Sequence, residues 1–291
     1  MNVEKALKTT LGFLIITIGS FFIFSLIIPK APSRLTPDKK VENAVEIKKQ
    51  LRLVSIGDSL TAGVGDETQR GGYVPLVATA LEEAFQISSI EIENFGVAGD
   101  RSTQILKRIK EQEEIQTNIA SADVITLTVG GNDLMKVIQS NILGLSVKTF
   151  EKPAKKYQNN LTKLLEEIRQ LNPSAPIYVL GIYNPYYIYF PEITEMQTIV
   201  DQWNQHTQEI VEKKEKMYFI PVNDLIYQGI FDKEEGTATQ EFSEVDSLNG
   251  LRNNAIYEGD NFHPNYNGYQ LIARAFTDKI KETKSDWLEE E

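Results

Sequence analysis

Residues 51–63, LRLVSIGDSLTAG, decide how the rest of the chain is read. Leu51–Ile56 is a short run rich in Leu, Val and Ile that reads as a strand. It breaks at Gly57 into Asp58-Ser59-Leu60-Thr61-Ala62-Gly63. A serine on a glycine-flanked turn between strand and helix exposes its hydroxyl at the sheet edge, with its own backbone N–H directed at a helix start. The turn is not a G-x-S-x-G elbow, because Thr61 stands where the second glycine belongs. Taken alone, Asp58 or Ser59 reads as readily as a helix cap.

Outward from this stretch, short β-rich runs alternate with amphipathic segments, the signature of a parallel α/β sheet. Further strands are predicted at Ile90–Asn94, Val124–Val129, Ile177–Ile182 and Met217–Val222. Helices are expected near 73–86, 101–117, 153–171, 194–215 and 265–283. Five strands with intervening helices make one doubly wound α/β domain, in which ligands bind at the carboxyl ends of the strands.

Three more loops fall at that edge. Asn94-Phe95-Gly96-Val97-Ala98-Gly99-Asp100-Arg101-Ser102 follows the second strand and leads into a helix, where free N–H groups stabilise negative charge. Its glycine spacing and its place after the second strand do not fit a dinucleotide fingerprint. Val129-Gly130-Gly131-Asn132-Asp133 ends the third strand, and an asparagine amide held on a tight Gly-Gly turn is a fixed donor of the kind an oxyanion needs. Asn132 or Asp133 is also an ordinary turn or cap residue. Glu258-Gly259-Asp260-Asn261-Phe262-His263-Pro264 precedes the last helix, and a carboxylate three residues before a histidine fixes the imidazole tautomer that leaves the other nitrogen free as a base. The chain has two histidines. The second, His206, lies in the polar helix segment Asp201-Gln202-Trp203-Asn204-Gln205-His206 and reads as a solvated face.

In this order the four blocks resemble the GDSL, or SGNH, hydrolase superfamily over roughly residues 51–283. The resemblance implies a flavodoxin-like fold and hydrolysis of carboxylic esters, among them lipids, lysophospholipids, thioesters and acetylated sugars. It implies that Ser59 is the nucleophile, that the backbone of Ser59 and Gly99 and the amide of Asn132 form an oxyanion hole, and that Asp260 and His263 are the acid and base. Within the superfamily the chain is most similar to the membrane-anchored lipase/acylhydrolase-like branch of Gram-positive bacteria. A cell-wall or glycan O-acetylesterase and a non-catalytic lipid- or glycan-binding module on the same fold are the alternative readings. Tyr183-Asn184-Pro185-Tyr186-Tyr187-Ile188-Tyr189-Phe190 follows the fourth strand at the same edge, and Tyr183, Tyr186 and Tyr187 are the candidate substrate-binding residues, as an acyl channel or a sugar-stacking wall. No metal or organic cofactor is expected.

Composition frames these readings. With 291 residues, 41% hydrophobic and 24% charged, the chain is ordinary globular material, and no cysteine is present for a disulfide, a thiolate metal site or a cysteine nucleophile. Residues 51–291 carry 22 Lys and Arg against 37 Asp and Glu, which excludes electrostatic binding of nucleic acid. Leu11–Ile28 is an eighteen-residue stretch without charge, followed by Pro29 and Lys30, and reads as an uncleaved single-pass membrane anchor. The expected organisation is an anchor at 1–29, a juxtamembrane linker at 30–50, a hydrolase domain at 51–285 and an acidic tail at 286–291. Lys30, Arg34, Lys39 and Lys40 slightly favour a cytoplasmic body by charge counting, whereas the resemblance implies an extracellular one.

Overall fold

The computed structural model describes residues 50–140, 146–185, 194–229 and 254–288, together with Leu14, Thr17, Ile18 and Ser20. Two compact units, Met1–Ala44 and Val45–Glu291, divide the chain. In the first, the four described residues are helical. The rest of the expected anchor at Leu11–Ile28, and the expected linker at 30–50 apart from Gln50, lie outside the described residues. Among the described residues no helix is long and apolar enough to cross a membrane.

The second unit is built on a five-stranded, wholly parallel sheet: β1 (Gln50–Gly57), β2 (Ser89–Gly96), β3 (Val124–Thr128), β4 (Ile177–Leu180) and β5 (Met217–Ile220). Their order is β2-β1-β3-β4-β5, the flavodoxin-like arrangement, with the switch point at β1 and β3. Side chains alternate between the two faces, as the period of a strand requires. Val54, Ile56, Ile125, Leu127, Ile177, Val179, Met217 and Phe219 enter one core, and Leu51, Leu53, Val124, Tyr178, Leu180 and Ile220 enter the other. Because both faces are covered, β3 and β4 are buried along their whole length.

The first core is roofed by α3 (Ser102–Glu111), α4 (Glu113–Ala120), α5 (Gly131–Ser140), α6 (Val147–Leu171) and α7 (Thr194–Val211). The second is closed by α2 (Tyr73–Phe85) and α9 (Tyr266–Glu282), where Tyr73 stacks on Phe276 at 4.7 Å between ring centroids. Two short helices, α1 (Ser59–Ala62) and α8 (Asn223–Gln228), follow β1 and β5.

The strand expectations hold to within a few residues, and several helix expectations are corrected. The segment expected as one helix at 101–117 is two, because Gln112 is extended (φ −113°, ψ 108°) and separates α3 from α4. α6 begins at Val147 rather than near Pro153, with Pro153 inside it; burying Phe150 and Ala154 keeps the first turns on the core despite the lost N–H. Gly130-Gly131 is no free-standing turn, since Gly131 already starts α5 and Asn132 is its second residue.

Candidate active site

Gly57 ends β1, and Asp58 caps α1 by accepting the Leu60 N–H on Oδ1 at 3.1 Å. The same oxygen accepts from Thr128 Oγ1 at 2.8 Å, and Thr128 Oγ1 accepts the Asp58 N–H at 3.1 Å. Thr128 continues to Thr61 Oγ1 (2.8 Å), Thr61 to the Tyr73 hydroxyl (3.1 Å), Tyr73 to Thr126 (3.0 Å) and Thr126 to Ser55 Oγ (2.7 Å). Every member of this chain is buried, so the turn that carries Ser59 rests on a polar network whose partners are all supplied by protein. Burial pushes the Asp58 carboxyl above its ordinary value, against the hydrogen bonds from Thr128 and Leu60. The Tyr73 hydroxyl is pushed up to about 12 by burial.

Ser59 is the first residue of α1, where a backbone N–H has no partner within the helix. Its Oγ lies 2.9 Å from His263 Nε2, and His263 Nδ1 lies 2.6 Å from Asp260 Oδ2. The other Asp260 oxygen accepts the N–H groups of Phe262 (2.9 Å) and His263 (3.0 Å), which locks the carboxylate to its own loop. Partial burial raises the Asp260 carboxyl, but the hydrogen bond from the His263 ring and those from the His263 and Phe262 backbone outweigh it and hold the group below the usual carboxylate range. The loop is tied down by an antiparallel bridge between Ile256 and Pro264 and by the Tyr183 hydroxyl donating to the Phe262 carbonyl at 2.7 Å.

The remaining predicted donors come to the same edge. Gly99 has φ +85°, a left-handed conformation that suits glycine, and open space stands where a Cβ would be. Asn132 donates from Nδ2 to the Asp100 carbonyl at 2.9 Å, which fixes the amide against the Gly99–Asp100 loop and leaves its second hydrogen for a ligand. Asp133 accepts the Ser102 N–H (2.8 Å) and hydroxyl (2.7 Å), joining the start of α3 to the start of α5. Gly130 has φ +112°, and a Cβ there would sit 2.7 Å from the Tyr157 hydroxyl, so only glycine brings β3 into α5 this closely.

Arg108 was not singled out by the sequence. From α3 it pairs with Asp100 (2.6 Å) and donates to the carbonyls of Phe95 (3.1 Å) and Gly57 (3.1 Å). One guanidinium thus joins the ends of β1 and β2 to the oxyanion-side loop, a fork that Lys would not reproduce.

A pocket next to Ser59 is walled by Leu60, Val129, Leu180, Ile182, Tyr183, Pro185 and Phe262, with Asn132 on its polar side. Tyr183 lines this wall, and its hydroxyl is spent on the Phe262 carbonyl. Tyr186 and Tyr187 lie outside the described residues. His206 stands apart, half-exposed on α7, with Nδ1 3.9 Å from Glu209. Among the described residues no group of three or more His, Asp or Glu side chains is placed to hold a metal ion.

Comparison with known proteins agrees with this geometry. Residues 55–271 match the profile of the GDSL-like lipase/acylhydrolase family. The chain is 32% identical to YpmR of Bacillus subtilis (strain 168) over 84% of its own length and 86% of that protein. Its fold is similar to that of the lipase Lip_vut3 from a goat rumen metagenome, with a TM-score of 0.62 at 22% identity, covering 78% of this chain and 96% of the other. It is also similar to the acetylxylan esterase Axe2 of Geobacillus stearothermophilus, with a TM-score of 0.53 at 20% identity, covering 79% and 94%.

Proposed function

The chain belongs to the GDSL-like lipase/acylhydrolase family, and on that premise we propose that it is a serine ester hydrolase working through an acyl-enzyme. The observation that carries the reading is the unbroken line of hydrogen bonds from Asp260 through His263 to Ser59, 2.6 and 2.9 Å long. His263 Nε2 takes the proton of Ser59 Oγ as that oxygen attacks the ester carbonyl, and the ionised Asp260 steadies the imidazolium. The developing oxyanion is met by the N–H groups of Ser59 and Gly99 and by the Asn132 amide. His263 then protonates the departing alcohol. Water, deprotonated by the same nitrogen, releases the carboxylic acid and restores Ser59.

The apolar wall of Leu60, Val129, Leu180 and Ile182 beside Ser59 suits the acyl half of the ester. A second reading, a glycan O-acetylesterase, uses the same residues and is favoured by the small volume of that pocket, about 40 Å³. The non-catalytic binding module is disfavoured because every proton-transfer group is present and in line.

The test is hydrolysis of p-nitrophenyl esters from acetate to palmitate. The wild-type protein is expected to turn over at least one of them, and Ser59→Ala to lower kcat by roughly 10⁴–10⁶ while leaving the fold intact. Near-wild-type activity in that variant would sink the mechanism, and the chain-length optimum separates acyl ester from acetyl ester.

The proposal extends to location. Leu11–Ile28 is taken as a single-pass anchor with the hydrolase domain, residues 51–285, outside the cell, a reading that rests on sequence alone. Protease added to cells stripped of wall should digest the domain; protection until lysis would reverse the orientation.

A further inference from the structure

Two glycines line the pocket beside Ser59, and they stand there for different reasons. A Cβ on Gly181 would lie 2.8 Å from the Phe219 ring and 3.1 Å from Asn204 Oδ1, so packing alone demands glycine there. Gly131 is under no such constraint. Its φ is not positive, and it opens α5, where glycine stabilises a helix less than alanine does. Beyond its chain neighbours and its own helix backbone, a Cβ on Gly131 would meet a single atom within 4 Å, Ile182 Cγ2 at 3.9 Å, an ordinary van der Waals contact. The adjacent Gly130 differs on both counts, with φ +112° and the Tyr157 hydroxyl 2.7 Å from where its Cβ would be. What a side chain at 131 would fill is therefore cavity: its absence leaves a gap one methyl wide between the start of α5 and Ile182.

The far side of that gap is pinned. Asn204, on α7, accepts the Ile182 N–H on Oδ1 and donates from Nδ2 to the Ile182 carbonyl, both at 2.8 Å, so one carboxamide holds both backbone groups of the residue. The pocket has a volume of about 40 Å³, room for about three waters, and a methyl group would take a large share of it. We propose that Gly131 is a specificity-determining residue of the acyl pocket. The space left by its missing side chain, against the fixed Ile182, admits a straight acyl chain of about four carbons, the carbonyl and three beyond it, and a methyl at 131 closes that space. The inference rests on the ester-hydrolase reading and adds to it the residue that sets acyl length.

The experiment measures kcat/KM on p-nitrophenyl acetate, butyrate and hexanoate for the wild-type chain, Gly131→Ala, Ile182→Ala and the double variant. Gly131→Ala should lower the butyrate-to-acetate ratio about tenfold or more, the scale on which a methylene is discriminated in an apolar pocket. Ile182→Ala should raise the hexanoate-to-acetate ratio, and the double variant should recover most of the lost butyrate ratio, because space removed on one side is returned on the other. A displaced Asn132 or a loosened fold would slow all three esters alike, and unmoved ratios in Gly131→Ala would overturn the proposal. So would a double variant no better on butyrate than Gly131→Ala. Should Ile182→Ala not fold, Gly131→Ala decides alone. A wild-type chain that turns over none of the esters would sink the ester-hydrolase reading instead, and the pocket is then read without turnover, by saturation-transfer NMR of acetate and butyrate. Butyrate contact with the wild-type chain that Gly131→Ala removes would support the assignment; contact equal in both, or absent from both, would overturn it.

Discussion

Ser59 stands on a turn whose polar neighbours are buried and bonded to one another from Asp58 to Ser55, whereas His263 stands on a loop whose partner carboxylate, Asp260, is exposed. At the serine end the sheet itself supplies the restraint, through Thr126 and Thr128 of β3 and Tyr73 of α2. At the histidine end the restraint comes mainly from the loop itself, through two backbone N–H groups on one carboxylate oxygen and one bridge, with the Tyr183 hydroxyl reaching in from beyond β4. The difference teaches that damage at the two ends should register differently. Changes beneath Ser59 should cost stability first, and changes at the Asp260 loop should cost rate first.

The largest effect should come from Asp260→Asn. It keeps the shape of the loop but removes the charge that supports the imidazolium and favours the productive tautomer, so kcat should fall by about 10⁴ with little change in thermal stability at neutral pH. The pH dependence of stability gives a second check. Because the Asp260 carboxyl is held below its ordinary value in the folded chain, its contribution is present above the unfolded pKa and is lost as pH falls through the folded one. In Asp260→Asn that acid-side loss should disappear, and its size should be small because the group is exposed. An unfolding transition at neutral pH that collapses in this variant would make Asp260 chiefly structural.

Next in size is Asn132→Ala. If the amide acts mainly on the transition state, kcat should fall by roughly 10²–10³ with KM nearly unchanged. A rise in KM at constant kcat would make Asn132 a binding residue. The variant also frees the Asp100 carbonyl, so Arg108→Lys is a useful companion: it disturbs the same loop from behind without touching the oxyanion donors.

Beneath Ser59 the expectation turns to stability. Asp58→Ala removes a helix cap and leaves the Thr128 hydroxyl without its acceptor, which should cost about 1–3 kcal/mol. Asp58→Asn should behave otherwise, because it keeps an acceptor oxygen and avoids a buried charge. Burial raises the Asp58 carboxyl, so the folded chain holds that proton more tightly than the unfolded one, and ionising Asp58 costs stability as pH rises above the unfolded pKa. Urea midpoints across pH 4–8 should therefore fall less steeply for Asp58→Asn than for wild type. An identical slope would show that Asp58 does not titrate in that window.

Much of the site was legible because each block pairs a residue type with a strand-to-helix junction: Ser59 after β1, Gly99 after β2, Asn132 after β3 and His263 before α9. What escaped depends on long-range convergence. Arg108 looks like any exposed-face helix cation until the ends of β1 and β2 and the Asp100 carboxylate gather around it. The start of α5 was hidden because Gly130-Gly131 signals a turn locally, while the packing of Gly130 against Tyr157 and Trp203 lets the helix begin at once. The start of α6 was hidden because proline is commonest at a helix's first position, and burial of Phe150 overrode that local preference.

The smallest effect is expected at the other histidine, and it sharpens the comparison by isolating one base. His206 lies on α7, half-exposed, 3.9 Å from Glu209 and with one buried ring nitrogen unpartnered, so its side chain contributes little that Gln cannot replace. His206→Gln should change stability by no more than about 0.5 kcal/mol and leave kcat/KM within about twofold. In that variant His263 is the chain's one imidazole, so the activity that remains has a single candidate base. A fall in kcat/KM on replacing His206 as large as that expected of Ser59→Ala would mean that the wrong histidine has been assigned as the base.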